Sequence, residues 1–205
     1  MDYDLYELLE NIEDTVSDDH ELKLELVESE DTSSEVLEDL ATDKSDYIRK
    51  CIAKHPNTPA KILEQLATGE DYAVLASVAE NPNTPPETLK ILATDEDYYV
   101  RCRVALNPNT SQEILQQFAT DEDSNFRARA AHHPNTPQET LKILATDGFW
   151  IVRSYVAGNP NTALEILKQL ATDENYSVRH WVAQNPNRTE LIERLVFMTN
   201  YKQEQ

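Results

Sequence analysis

A chain of 205 residues with a formal net charge of -20 and a mean hydropathy of -0.61 offers no run of about 18 apolar residues, so a membrane-spanning segment is not expected. So acidic a surface repels nucleic-acid backbone, whose binding needs a basic patch, and direct nucleic-acid binding is not expected either. The two cysteines, Cys51 and Cys102, lack metal-ligand spacing, and the start of the chain has no basic segment followed by an apolar one; a reducing, cytoplasmic setting is the expectation.

The charge is concentrated at one end. Residues 1–46 carry 18 acidic and 2 basic side chains, leaving 20 acidic and 16 basic for the rest of the chain. Within 1–28, Leu5, Leu8, Leu9 and Ile12 recur at helical spacing and predict an amphipathic helix from Asp4 to about Thr15, with Asp2 and Asp4 favouring its start. Residues 16–28 are dense in charge and read as a loop or a second short helix. Two roles suit this segment: a polar cap over the open end of a helical stack, or an acidic docking arm.

From residue 29 the chain repeats. Asn or His followed by Pro-Asn begins at His55, Asn81, Asn107, His133, Asn159 and Asn185, always 26 residues apart. Leu40-Ala41-Thr42-Asp43 returns on the same beat at Leu66, Leu92, Phe118, Leu144 and Leu170. A spacing that never slips marks a stack of supersecondary units. The first unit is degenerate, with Thr32-Ser33-Ser34-Glu35 in place of the proline-containing entry, while Leu37, Leu40, Ala41, Asp43, Ile48 and Arg49 keep the later columns.

In a full unit, Asn81 to Leu106, Thr84 predicts an N-cap, with Pro85 at the first helical position and Glu87 completing a capping box. The same box is expected at Thr110 with Glu113, Thr136 with Glu139 and Thr162 with Glu165, whereas Thr58 has Lys61 there. Leu89, Leu92 and Ala93 form the inward face of this first helix, and Thr94-Asp95 ends it. A second helix is predicted from about Asp97 to Leu106, packing through Val100, Val104 and Ala105 and stopped by Asn107-Pro108. After Asn185-Pro186-Asn187-Arg188, one longer helix is expected from Thr189 to about Tyr201, with Leu191, Ile192, Leu195 and Val196 apolar. The expected organisation is therefore an acidic N-terminal cap over 1–28, a six-unit array over 29–187 and a C-terminal capping helix with tail over 188–205.

The pattern Val100-Arg101-x-x-Val104-Ala105-x-Asn107-Pro108-Asn109-Thr110, followed by Leu115 and Ala119-Thr120-Asp121, resembles the variant leucine-rich repeat family and, more broadly, HEAT-like helical repeats. The resemblance covers residues 29–187. It implies an all-α fold, a right-handed α-solenoid of 26-residue two-helix repeats, in which one helix of each pair can be 3₁₀. The founding example of the family is associated with an iron–sulfur cluster held by clustered N-terminal cysteines. Residues 1–50 here contain no cysteine, and thiolates are what such a cluster needs, so no cofactor is expected.

Arg49, Arg101, Arg127, Arg153 and Arg179 share one column, broken at Leu75; Asp43, Asp95, Asp121, Asp147 and Asp173 share another, broken at Gly69. An arginine ladder could line a phosphate groove, but loss of both columns in one unit favours arginine–aspartate pairs that set register. His55 and His133 replace asparagine 78 residues apart in sequence, too far apart to suggest a metal site. No Gly-rich phosphate loop, nucleophile elbow or HExxH helix occurs, so no catalytic residues are assigned and enzymatic activity is not expected.

What varies is one face of the second helices, which reads Tyr99, Arg103, Leu106; Asn125, Arg129, His132; Ile151, Tyr155; Ser177, His180, Trp181. Tyrosine, tryptophan and arginine are enriched at interface hot spots. The expected function is a non-catalytic scaffold that binds a protein partner, one with a basic surface, through Tyr99, Arg103, Arg129, His132, Tyr155 and Trp181. Filling gaps between helices is the competing explanation for Trp150 and Trp181. Two other functions compete with the scaffold: an acidic decoy or regulator of a basic, nucleic-acid-binding partner acting through residues 1–46, and a nucleic-acid-processing enzyme of HEAT-like type, which the charge disfavours.

Overall fold

Helices of seven to nine residues are too short to persist alone in water, so each must be held by its neighbours. That is how this chain is built. The computed structural model describes residues 20–203, and the helix predicted over Asp4–Thr15 lies outside them. Among the described residues the structure is all-α, a solenoid of helix pairs with no strand.

The chain divides into two compact units, Met1–Arg103 and Val104–Gln205. The first contains α1 (residues 20–28), α2 (Ser34–Leu40), α3 (Asp46–Lys54), α4 (Ala60–Leu66), α5 (Tyr72–Glu80) and α6 (Pro86–Leu92); α7 (Tyr98–Val104) runs to the division. The second contains α8 (Gln112–Phe118), α9 (Ser124–His132), α10 (Gln138–Leu144), α11 (Trp150–Gly158), α12 (Leu164–Leu170), α13 (Tyr176–Gln184) and α14 (Glu190–Gln203). First and second helices alternate. Second helices pack side by side, α3 on α5 in one unit and α9 on α11 on α13 in the other, with first helices such as α4 and α10 wedged against both neighbours. Both helices of a pair are α; 3₁₀-type bonding is confined to helix ends, as where the Thr94 and Asp95 amides donate to Ile91 and Leu92 carbonyls.

The periodic apolar columns are the core. Leu37, Ile48, Ile52, Leu63 and Leu89 are fully buried in the first unit, and Leu115, Leu141, Val152, Val156, Leu167, Val178 and Val182 in the second. Phe118 departs from the leucine column and Phe126 from the aliphatic one, and the two rings stack at 5.2 Å, so one enlargement is accommodated beside the other.

The Asn-Pro-Asn-Thr motif does more than punctuate. Asn81 is buried; its Nδ2 donates to the carbonyls of Ala53 (2.7 Å) and His55 (3.1 Å) in the preceding repeat, while its Oδ1 accepts the Asn83 amide (2.8 Å). Asn83 Nδ2 also reaches back, to the Pro56 carbonyl at 2.7 Å. Asn159 and Asn185 make the same bonds to Ala131 and His133 and to Ala157 and Asn159. These three motifs therefore staple their repeats to the one before, satisfying carbonyls that a proline-terminated helix leaves open.

Histidine does the same with its ring. His133 Nδ1 accepts the Asn135 amide at 3.1 Å and Nε2 faces the Asn107 carbonyl at 3.0 Å; His55 does likewise with Asn57 and Ser29. Because Nδ1 accepts, Nε2 carries the proton. Burial pushes the His133 pKa below its ordinary value.

The predicted capping boxes do not form. Thr84 Oγ1 donates backwards to the Val78 carbonyl (2.5 Å), and Thr58, Thr136 and Thr162 do the same to Ile52, Ala130 and Val156. The N-cap falls one residue later, at Pro59, Pro85, Pro137 or Ala163, none of which can cap with a side chain. Only where that residue is serine does a side-chain cap appear in the first helices: Ser111 accepts from Ile114 and Ser33 from Val36. Four second helices are capped by a side chain, from Asp71, Asp97, Asp123 and Asn175, whereas Ser45 before α3 and Phe149 before α11 make no such bond.

The ends differ from their neighbours in informative ways. Residues 20–28, for which sequence allows loop or helix, are helical, and α1 behaves as the second helix of a further degenerate repeat. Val27 is buried as Ala53 is, Thr32 donates to the Leu26 carbonyl as Thr58 does to that of Ile52, and Lys23 stands 26 residues before Arg49. At the other end α14 buries Ile192 and Val196 but leaves Leu191, Phe197, Met198 and Tyr201 exposed. Leu191, expected on the apolar face, points to solvent.

Candidate functional site

Which side chains are free to act depends first on which are already used. The column arginines are used. Arg127 meets Asp147 through Nε (2.6 Å) and Nη2 (3.2 Å), and its Nη1 donates to the Asp121 and Glu122 carbonyls at 2.9 Å. Arg153 repeats this with Asp173 (2.7 and 3.0 Å) and the Asp147 carbonyl (2.7 Å). Arg179 finds Asn200 of α14 in the aspartate's place, at 2.5 Å. The Arg127 and Arg153 pairs join consecutive repeats, arginine to an acid 20 residues on. Burial opposes charge on Asp147, but the hydrogen bonds from Arg127 and the Phe149 amide outweigh it and hold the carboxyl below its usual range. The phosphate-groove alternative finds no free arginines in these rungs.

This register changes the meaning of the two breaks. Gly69 stands where the acid for Arg49 would be, and Leu75 where the arginine for Asp95 would be, so one degenerate repeat breaks two different rungs. Arg49 turns instead to Asp46 on its own helix and to the Asp43 carbonyl (2.5 Å). Asp43 is met by Lys23 at 3.2 Å, a lysine rung at the arginine position.

On the second helices of the second unit, α9 and α11 enclose a groove of about 290 Å³ lined by Leu106, Asn125, Ala128, Arg129, His132, Ile151 and Tyr155. His132 and Tyr155 meet edge to face with centroids 5.2 Å apart, forming one wall. Ala128 leaves room at the floor. Of the nine arginines in the sequence, Arg129 alone makes no hydrogen bond or ion pair through its side chain among the described residues. It is half-buried.

Three of the six residues that sequence nominates thus meet in one place: Arg129, His132 and Tyr155. Trp181 lies on the next second helix, 49 % exposed, with its ring edge over Gly158, where a Cβ would sit 3.2 Å from Cε3. It fills a gap and still presents a face. Tyr99 and Arg103 belong to the first unit; Tyr99 is 65 % exposed beside Tyr98, and Arg103 is engaged by Glu80 at 3.3 Å. Leu106, Asn125 and Ile151 lie on the variable stripe but outside the nominated six. Ala128 belongs to the same variable column as His180, with Cys102 and Ser154, and is likewise outside the six; the varying size of that column is the signal that marks it.

Among the described residues no cluster of three His, Cys, Asp or Glu suited to a metal occurs, and no helix is long and apolar enough to cross a membrane.

Comparison with known proteins supplies a likeness. The model of the leucine-rich repeat variant matches residues 72–97, one full period. A solved structure described as a leucine-rich repeat variant with a novel repetitive structural motif is 26% identical, covers 79% of this chain and 69% of its own, and superposes with a TM-score of 0.56. An engineered protein of solved structure is 19% identical over 80% of this chain and 95% of its own, with a TM-score of 0.40. No curated protein matches. The unit at residues 72–97 matches the leucine-rich repeat variant, and the chain is similar over most of its length to a solved helical repeat protein of that description.

Proposed function

We propose that this protein is a non-catalytic interaction scaffold that holds a protein partner on the variable face of its second helices. One observation carries the reading: the columns that repeat are buried in the stack or tied into its turns, while the columns that vary present Tyr99, Ile151, Tyr155 and Trp181 to solvent. Large exposed aromatics on a regular scaffold are anchors in search of a pocket or a chain to cover. Two free cysteines in a chain of this kind fit a reducing compartment, and we place it in the cytoplasm.

The test is capture. Protein complexes drawn from a native lysate by the wild type are expected to be lost with Tyr155→Ala/Trp181→Ala while far-UV circular dichroism stays helical. Ile91→Ala/Ile143→Ala, which removes two exposed side chains from first helices instead, is expected to retain them. Capture that survives the first pair, or fails equally with the second, removes the second-helix face from consideration.

The excess of acid in residues 1–46 supports a second reading, a basic partner recruited electrostatically at that end. It predicts association that weakens steeply with salt and is abolished by neutralising that segment.

A further inference from the structure

We infer that the groove between α9 and α11 is a receptor for an acidic peptide segment, with Arg129 receiving a carboxylate and Leu106 and Ile151 an adjacent aliphatic side chain. The inference rests on the reading that second helices bind partners, and deepens it by naming the partner's chemistry at one place.

The argument starts from the exceptional arginine. Every other arginine of the chain has an acceptor, and the protein has acid in excess, so a half-buried guanidinium left without one stands out. A guanidinium presents five donors in a planar fork matched to carboxylate, and losing part of its hydration without a partner is a cost that an incoming anion removes. Around it the groove offers further unused polar ends: the Asn125 amide, the Tyr155 hydroxyl and the His132 ring nitrogens make no side-chain hydrogen bond among the described residues, the His132 ring standing edge to face with Tyr155. The remaining lining is apolar, with Ile151 45 % and Leu106 52 % exposed. One cation, a few hydrogen-bonding ends and an aliphatic shelf fit an acidic residue with a leucine-like neighbour.

Charge favours a carboxylate over a phosphate. Phosphopeptide sites converge several arginines on a dianion, whereas Arg127, nearest in sequence, is committed to Asp147. Glu122 and Asp123 just before α9 add repulsion that a singly charged group bears more easily than a doubly charged one. The groove therefore differs in sign from the chain as a whole: the basic partner expected from net charge suits residues 1–46, not this site.

The experiment uses the full-length chain and fluorescence anisotropy of three short fluorescein-labelled peptides: one of glutamate and leucine, its glutamine-for-glutamate counterpart, and a phosphoserine-for-glutamate counterpart. The glutamate peptide is expected to bind, weakening as salt rises from about 0.05 to 0.5 M, with the glutamine peptide at least about tenfold weaker. Arg129→Gln is expected to reduce binding about tenfold, Arg129→Lys less, and Lys142→Gln on α10, which removes the same charge elsewhere, not at all. The Arg129 side chain makes no hydrogen bond or ion pair among the described residues, so these variants should unfold at the wild-type urea concentration. Equal binding of the glutamine peptide, preference for the phosphoserine peptide, or indifference to Arg129→Gln would each overturn the inference. If Arg129→Gln changes nothing while Tyr155→Ala/Trp181→Ala still abolishes capture, the groove assignment fails and the scaffold reading stands; if neither matters, both fail.

Discussion

Replacing Gly69 by aspartate should repair a rung of the inter-repeat ladder. In the intact rungs of the second unit, arginine meets a carboxylate 20 residues on, and the side chains are only 15 % and 9 % exposed for Arg127–Asp147 and 10 % and 9 % for Arg153–Asp173. Arg49 has Gly69 at that offset and settles for Asp46, whose side chain is 59 % exposed. The site can take a side chain: Gly69 has no positive φ, and a Cβ there would meet only the Leu66 carbonyl, at 3.4 Å. A bidentate, partly buried pair lies at the upper end of the range for surface ion pairs once desolvation is deducted, so about 1 kcal/mol is expected from the rung. Loss of glycine's freedom in the unfolded chain adds about 0.5 kcal/mol, which Gly69→Asn isolates. Urea denaturation of Gly69→Asp, Arg49→Ala and the double variant, followed by circular dichroism, gives the coupling directly. The rung predicts about 1 kcal/mol of coupling between positions 49 and 69 and none between 69 and 75, which belong to different rungs. Equal stabilisation by Gly69→Asp with arginine or alanine at 49 would refute the register, and gain only in combination with Leu75→Arg would restore pairing within one repeat.

The staples and the buried charges give further expected outcomes. Asn159, fully buried, donates to Ala131 and His133 carbonyls and accepts the Asn161 amide; Asn159→Ala should cost about 2–4 kcal/mol by stranding these groups, whereas Asn159→His should cost far less, since His133 already does this work one repeat earlier. Thermal unfolding distinguishes the two. His133 is held neutral, with a folded pKa below its ordinary value of 6.5, so the unfolded chain binds the extra proton. Its contribution is complete above the unfolded value and is lost as pH falls towards the folded one; a pH series of urea midpoints should show this drop in wild type and not in His133→Asn. A separate loss at lower pH, below 3.8, should follow Asp147, whose folded pKa is depressed, and should disappear in Arg127→Gln.

The period was legible because a stack presents every unit with the same environment, so Leu89, Leu115, Leu141 and Leu167 have to be alike. Direction was not legible. A threonine before Pro-x-Glu can accept from the helix ahead or donate to the one behind, and with Pro85 taking the cap position Thr84 does the latter. Nor does a periodic sequence distinguish an aspartate six residues before an arginine from one 20 residues after it; in an unbroken array both are always present. Only the folded chain shows that Arg127 turns forward to Asp147. Towards the start of the chain Lys23 and Ser29 stand for arginine and asparagine, which hid a repeat that keeps the Lys23–Asp43 rung and the Thr32 bond to Leu26. The candidate site was half visible: variation marked the stripe of Arg129, His132 and Tyr155, but a groove depends on how far α9 stands from α11 and on the smallness of Ala128. That the Arg129 side chain has no partner among the described residues follows only from knowing the partners of every other arginine.

The claim that binding lies on the second helices is tested most directly by site-specific photocrosslinking. A p-benzoylphenylalanine placed at Tyr155 on α11, or at Ile143 on α10 within the same unit, reports which face a partner touches. The account predicts a discrete crosslinked partner from position 155 that Arg129→Gln diminishes, and none from position 143. Crosslinks from 143 alone would place the interface on the first helices and contradict it.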